Sequence, residues 1–149
     1  MTPIFKISEI INLPLSMVWS FASDLRNAPG WLFDITEIEN FSTETTSEKE
    51  STWIAKTKDG GKANNTKLKI IKFDEQYRFE ILSKSNNIER CYSYSFAEDN
   101  NATLIKLNAN YMNKNLASKF TCWVNTLPYI GKERKQLSDL KQLMMQLRT

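Results

Sequence analysis

Trp53, Phe79, Arg90, Tyr92, Tyr94 and Tyr111 are the residues of this chain whose types and spacing can do chemistry together. Each falls in a segment where apolar and polar residues alternate with a period of two, the mark of a strand with one buried face. A buried tyrosine brings a large apolar ring and a hydroxyl that needs a hydrogen-bond partner. Three tyrosines on adjacent strands would line a pocket for an apolar molecule and give it several polar handles. The same rings would equally serve as plugs filling a small hollow. Arg90 shares the phase of Tyr92 and Tyr94, and Glu9 lies on the otherwise apolar face of the first strand. Inside an apolar cavity such a pair would offset each other's desolvation, and the guanidinium would read a carboxylate or carbonyl. A register slip of one residue would instead place both in solvent. Further along, Trp123 and Phe120 sit at helical spacing, as part of a lid or simply as the buried stripe of a helix.

Other chemistry is excluded by composition. The chain has no histidine, which removes His-based metal sites, Ser-His-Asp and Cys-His nucleophile systems, and any imidazole acid–base step. Cys91 and Cys122 are too far apart for a metal knuckle, and two thiolates cannot make a four-thiolate site. No metal, cofactor or catalytic residue is therefore expected. Asp34, Glu37 and Glu39 form an acidic cluster, but carboxylates on a polar strand near a sheet edge are ordinarily solvated; acid–base work needs environments that differ. The net charge of +3 comes from 20 basic and 17 acidic residues mixed along the chain. Nucleic-acid binders gather such charge into a patch, and the densest basic run, Lys132-Glu133-Arg134-Lys135, is interrupted by an acid. No nucleic-acid partner is expected. A basic leader followed by an apolar run is missing, as is an apolar span of about 18 residues. A cytoplasmic protein without stable membrane insertion, its thiols reduced, is the expectation.

The elements that must position the aromatic residues follow from the pattern. The 149 residues, with four Trp, five Tyr and eight Phe but only four Gly and four Pro, suit one packed domain over 1–149. Residues 4–12 read as a strand with Phe5, Ile7 and Ile11 on one face. Pro14 starts a helix at or just before its first turn, with Ser16 as an alternative cap. Val18, Trp19, Ala22 and Leu25 recur at helical spacing as a buried stripe. Asn27 can cap a second short helix beginning near Pro29 and carrying Trp31. The period then changes to two, giving strands at 34–42, 50–58, 66–73, 76–84, 88–97 and 102–112. Asp59-Gly60-Gly61 and Asp99-Asn100-Asn101 are the clearest tight turns, and such short connections imply an antiparallel meander. From Leu116 the pattern is helical again, interrupted at Pro128 and Gly131, and it ends in a helix of about four turns.

Ile11-X-X-Pro14, Val18-Trp19, Asp24 and Pro29-X-Trp31, in that order, resemble the opening of START-like helix-grip proteins. More narrowly they resemble the polyketide cyclase/dehydrase and lipid-transport group, in a superfamily (SRPBCC) that includes the birch-pollen-allergen-like fold. Tyr92-Ser-Tyr94-Ser-Phe96, a polar turn and Thr103-Leu104-Ile105 look like the family's penultimate hairpin. Leu137-X-X-Leu140-Lys141 looks like the signature of its final helix. The resemblance implies an α+β helix-grip fold. A curved antiparallel sheet of about seven strands would wrap a long C-terminal helix, with two short helices after strand 1. It further implies a cavity between sheet and helix that holds an apolar or amphipathic molecule such as a lipid or polyketide. The extra apolar segment 116–127 departs from relatives that run into a single helix there.

Three functions follow as expectations. The first is a non-catalytic carrier whose ligand touches Trp53, Phe79, Arg90, Tyr92, Tyr94, Tyr111 and Trp123. The second is a cyclase or dehydratase using tyrosine hydroxyls with Arg90 and Glu9. The third is a protein-interaction module with a filled interior and an exposed apolar patch near Phe120 and Trp123. Ligand identity and oligomeric state are not encoded in any motif.

Overall fold

In the computed structural model, residues 3–32, 35–40, 51–59, 62–85, 88–111 and 135–148 are described. The segment 112–134, with Phe120, Cys122, Trp123 and Pro128, lies outside them, as do Asp34 and the turn glycines at 60 and 61. The element order is β1 (Pro3–Ile11), α1 (Leu15–Ala22), a 3-10 turn (Leu25–Asn27), β2 (Ile35–Asn40), β3 (Thr52–Asp59) and β4 (Lys62–Asp74). There follow β5 (Arg78–Ser85), β6 (Ile88–Asp99), β7 (Ala102–Tyr111) and a C-terminal helix, α2 (Gln136–Arg148).

The strands form one antiparallel sheet of seven in the order β1-β7-β6-β5-β4-β3-β2. Strands two to seven are thus a meander, and β1 returns beside the last of them. Bulges between Pro3 and Phe5, Ile35 and Glu37, and Ile70 and Lys72 shift the register, and a bulge bends its strand. One face of the sheet is apolar: Phe79 and Ile81, then Tyr92, Tyr94 and Phe96, then Ile105, Leu107 and Ala109 are all buried. Each of the larger aliphatic side chains and phenylalanines contributes about 1.5–3 kcal/mol by leaving water. The opposite face carries lysines, and pairs such as Lys56–Glu37 at 3.2 Å are too exposed to add much. Asp99 pairs with Ala102, and Asn100 and Asn101 both take left-handed angles, φ 49° and 67°. That is the backbone a two-residue hairpin turn requires.

Both helices lie on the apolar face. Pro14 is the N-cap of α1, in extended conformation, so Ser16 falls inside the first turn and does not cap. Val18, Trp19 and Ala22 are buried, and Ser23 ends the helix by donating both its N–H and its hydroxyl to the Trp19 carbonyl, at 2.9 and 2.6 Å. The second helical element differs from the sequence expectation. It begins at Leu25, not near Pro29, because the Asp24 carboxylate accepts the Arg26 N–H at 3.1 Å and grips its guanidinium with contacts as short as 2.6 Å. Asn27 is committed elsewhere, donating to the Phe21 carbonyl at 3.1 Å. The strand expected over 76–84 starts at Arg78: a left-handed Gln76, φ 60°, makes a turn before it, and Tyr77 is 61 % exposed while Phe79 is buried. In α2, Gln136, Leu137, Leu140 and Met144 face inward. Among the described residues no helix is long and apolar enough to cross a membrane.

Candidate functional site

Strand register places the sequence-predicted residues in rows across the sheet. Trp53 pairs with Leu68, Leu68 with Ser83, Ser83 with Arg90, and Arg90 with Tyr111. Trp53, Arg90 and Tyr111 therefore share one transverse row over five strands. Trp53, Leu68 and Ser83 in that row are buried and Arg90 is half-buried. The Trp53 indole donates to Ser51 Oγ at 3.0 Å, so its polar edge is satisfied. Of Tyr111 only the backbone is described. The next row holds Ile81, Tyr92 and Ala109, and the third Phe79, Tyr94 and Leu107.

The third row and the one beyond it are closed by aromatic packing. Phe79 stacks on Tyr94 at 4.9 Å between ring centroids and on Phe96 at 5.8 Å. Trp19 of α1 meets Phe73, Phe79 and Phe96 at 5.1–5.8 Å, and Trp31 meets Tyr94 edge-on at 5.7 Å. Trp31 is held there by Gly30, whose φ of 108° favours glycine, and whose missing Cβ would come within 3.3 Å of Leu143 Cδ2. Two residues on the list of candidates, Phe79 and Tyr94, thus belong to a packed floor. Trp53, Tyr92 and Arg90 lie along the rows leading away from it.

Tyr94 also carries the polar chemistry of this floor. Its hydroxyl donates to Gln136 Oε1 at 2.5 Å, joining sheet to helix in the interior. Gln136 was not among the sequence candidates. Its signal was its phase: 136, 140 and 144 are four apart, on the buried stripe with Leu140 and Met144.

Glu9 and Arg90 do not form a pair. Glu9 lies opposite Ile105 and Arg90 opposite Tyr111, at two ends of β7. Six residues of strand separate those levels, about 20 Å. Glu9 instead meets Lys141 of α2 at 3.2 Å, a half-buried ion pair at the seam between sheet and helix. Glu37 bridges Lys56 at 3.2 Å, and both Glu37 and Glu39 are exposed on the edge strand β2. Cys91, on the other face of β6 from Tyr92, has its thiol pushed up to about 11 by burial and, second, by the Glu80 carboxylate.

A groove of about 390 Å³ lies between α1 and the end of α2, lined by Leu13, Met17, Phe21, Met144 and Leu147, with Ser20 and Asn27 as its polar members. Met17 and Leu147 are 50 % and 66 % exposed, so the groove opens to solvent.

No family model and no curated protein matches the chain. Solved structures do. Ara h 8.0201 superposes with a TM-score of 0.68 at 14% identity, over 95% of this chain and 97% of that one. A START superfamily protein from Mycobacterium smegmatis gives 0.65 at 12% identity, over 96% and 97% of the two chains. The di-domain ARO/CYC BexL from the BE-7585A biosynthetic pathway gives 0.73 at 12% identity, over 95% of this chain and 46% of that one. At these identities the likeness is one of fold: the chain has the START-like helix-grip architecture.

Proposed function

We propose that this chain is a carrier that binds an apolar or amphipathic small molecule, a lipid or polyketide-like compound, between the sheet and its C-terminal helix. The observation that carries the reading is the row Trp53–Leu68–Ser83–Arg90–Tyr111 running beside Tyr92. In the register of that sheet face an indole, a phenol, a hydroxyl and a guanidinium fall in neighbouring positions. Ligand sites are mostly apolar with a few placed polar groups, and this row has that composition. Arg90 would read an oxygen of the ligand while Trp53 and Tyr92 cover its apolar body; Tyr111 and Trp123 complete the proposed lining. The expected compartment is the cytoplasm.

The enzyme alternative, suggested by a neighbour described as ARO/CYC, needs a proton donor and acceptor at one point. Glu9 is held by Lys141 and stands about 20 Å from the level of Arg90 along β7, which favours binding over catalysis. Among the described residues, the open apolar groove beside Met17 is what supports an interaction module.

Native mass spectrometry of the purified chain, before and after solvent extraction, tests the proposal together with a panel of lipids and polycyclic aromatics. Retained or rebound ligand, lost on Arg90→Ala or Tyr92→Ala, is the expected result. A chain that binds nothing in the panel but co-purifies with a stoichiometric protein partner would replace it with the interaction reading.

A further inference from the structure

Trp31 and Gln136 are 3 % and 1 % exposed, yet Trp31 Nε1 and Gln136 Nε2 have no acceptor among the described residues. Buried polar groups are nearly always paired, so each exception asks for a cause. Trp53 shows the ordinary solution in the same molecule, its indole N–H being taken by Ser51 Oγ at 3.0 Å. Both residues that carry these orphaned donors touch Tyr94. Trp31 packs its ring against Tyr94 at 5.7 Å, and Gln136 accepts the Tyr94 hydroxyl at 2.5 Å. With Oε1 engaged by that hydroxyl, the NH2 group is presented elsewhere. The three side chains bring one indole, two amide and one phenol hydrogen against acceptor oxygens on Gln136 and Tyr94 alone. Turning the amide over exchanges its ends without changing that count.

We propose that this corner is a receptor for a neutral carbonyl oxygen of the ligand, a ketone or ester, which takes the N–H groups of Trp31 and Gln136. A carboxylate fits less well. Among the described residues, Lys141, the cation of α2 at the seam, is engaged by Glu9 at 3.2 Å, and Arg90 lies two rows away along β6. A buried anion without a cation is costly, whereas a carbonyl needs only donors. Tyr94 acts here as a positioning residue that sets the Gln136 amide. This inference rests on the reading that the interior binds an apolar molecule, and it specifies the end group that molecule carries.

The test uses the whole chain and two probes of matched shape, acetylnaphthalene and isopropenylnaphthalene, in which a CH2 replaces the carbonyl oxygen. By calorimetry the wild-type chain should prefer the ketone by on the order of tenfold or more. Trp31→Phe and Gln136→Met, each checked for cooperative unfolding, should lose most of that preference while still binding the hydrocarbon. The carbonyl stretch of the bound ketone should lie below its value in hexane and move back in both variants. If one variant does not fold, the other and the infrared band still decide. Equal binding of the two probes, or a ketone preference that survives both substitutions, overturns the carbonyl receptor and leaves apolar binding intact; water would then be the acceptor. Binding of neither probe removes the underlying reading, and the receptor with it.

Discussion

Tyr94 in the middle of the sheet and Gln136 at the start of α2 are joined by a hydrogen bond of 2.5 Å that spans 42 positions of sequence. It is a buried polar tie between sheet and helix, and among the described residues apolar contacts and the half-buried Glu9–Lys141 pair also hold the helix. Tyr94→Phe keeps the ring and its stacking on Phe79 but leaves Gln136 Oε1 without a donor. The expected loss is about 1–2 kcal/mol in urea unfolding, with an unchanged denaturant slope.

Gly30 fixes how Trp31 enters the floor. A Cβ there would have to adopt φ 108° and press on Leu143 at 3.3 Å. Gly30→Ala is expected to cost about 1–2 kcal/mol, visible as a lowered melting temperature. It should also alter near-ultraviolet circular dichroism, because Trp31 packs on Tyr94.

Asp24 starts the 3-10 turn, and its carboxyl is held below the usual carboxylate range chiefly by the hydrogen bond from the Arg26 side chain. Asp24→Ala should lose about 1 kcal/mol at neutral pH. A depressed folded value means the charged form stabilises the fold above the ordinary carboxylate range, and the contribution disappears as pH falls through the folded value. The gap between wild type and Asp24→Ala should therefore close in acid unfolding curves.

Cys91 has the opposite sign. Its folded thiol titrates near 11 because burial, and then Glu80, disfavour the thiolate. The protonated form is favoured in the fold, so this contribution is complete below the ordinary thiol value and is lost between about pH 9 and 11. In a Cys122→Ser background, a thiol reagent at neutral pH should label Cys91 only at the rate of unfolding. Cys91→Ala should flatten the alkaline fall in stability. Fast labelling of the folded chain would contradict the burial of this thiol.

The sheet was legible because its strands alternate cleanly: Tyr92, Tyr94 and Phe96 against Cys91, Ser93 and Ser95 can sit only one way on a half-buried surface. The hairpin at Asn100-Asn101 was legible for a similar local reason. The second helical element was misplaced by a few residues because Asp24 and Asn27 are both good caps. Only the three-dimensional commitment of Asn27 to Phe21 decides between them. Glu9 and Arg90 looked like partners because both share a phase with apolar neighbours. Their separation depends on strand order and register, which no local pattern carries. Gln136 was overlooked since glutamine beside Lys135 reads as a solvated helix start, although its place on the Leu140–Met144 stripe was there to be read.

The most direct test of binding inside the grip is a nuclear magnetic resonance titration with acetylnaphthalene, following the Trp31 and Trp53 indole N–H signals and the Met17 methyl. Trp31 and Trp53 report the interior, and Met17 reports the outer groove, where it is half exposed. Saturable shifts of both indole signals with a stationary Met17 methyl are the predicted result. Stationary indoles, whether or not Met17 moves, would contradict the account.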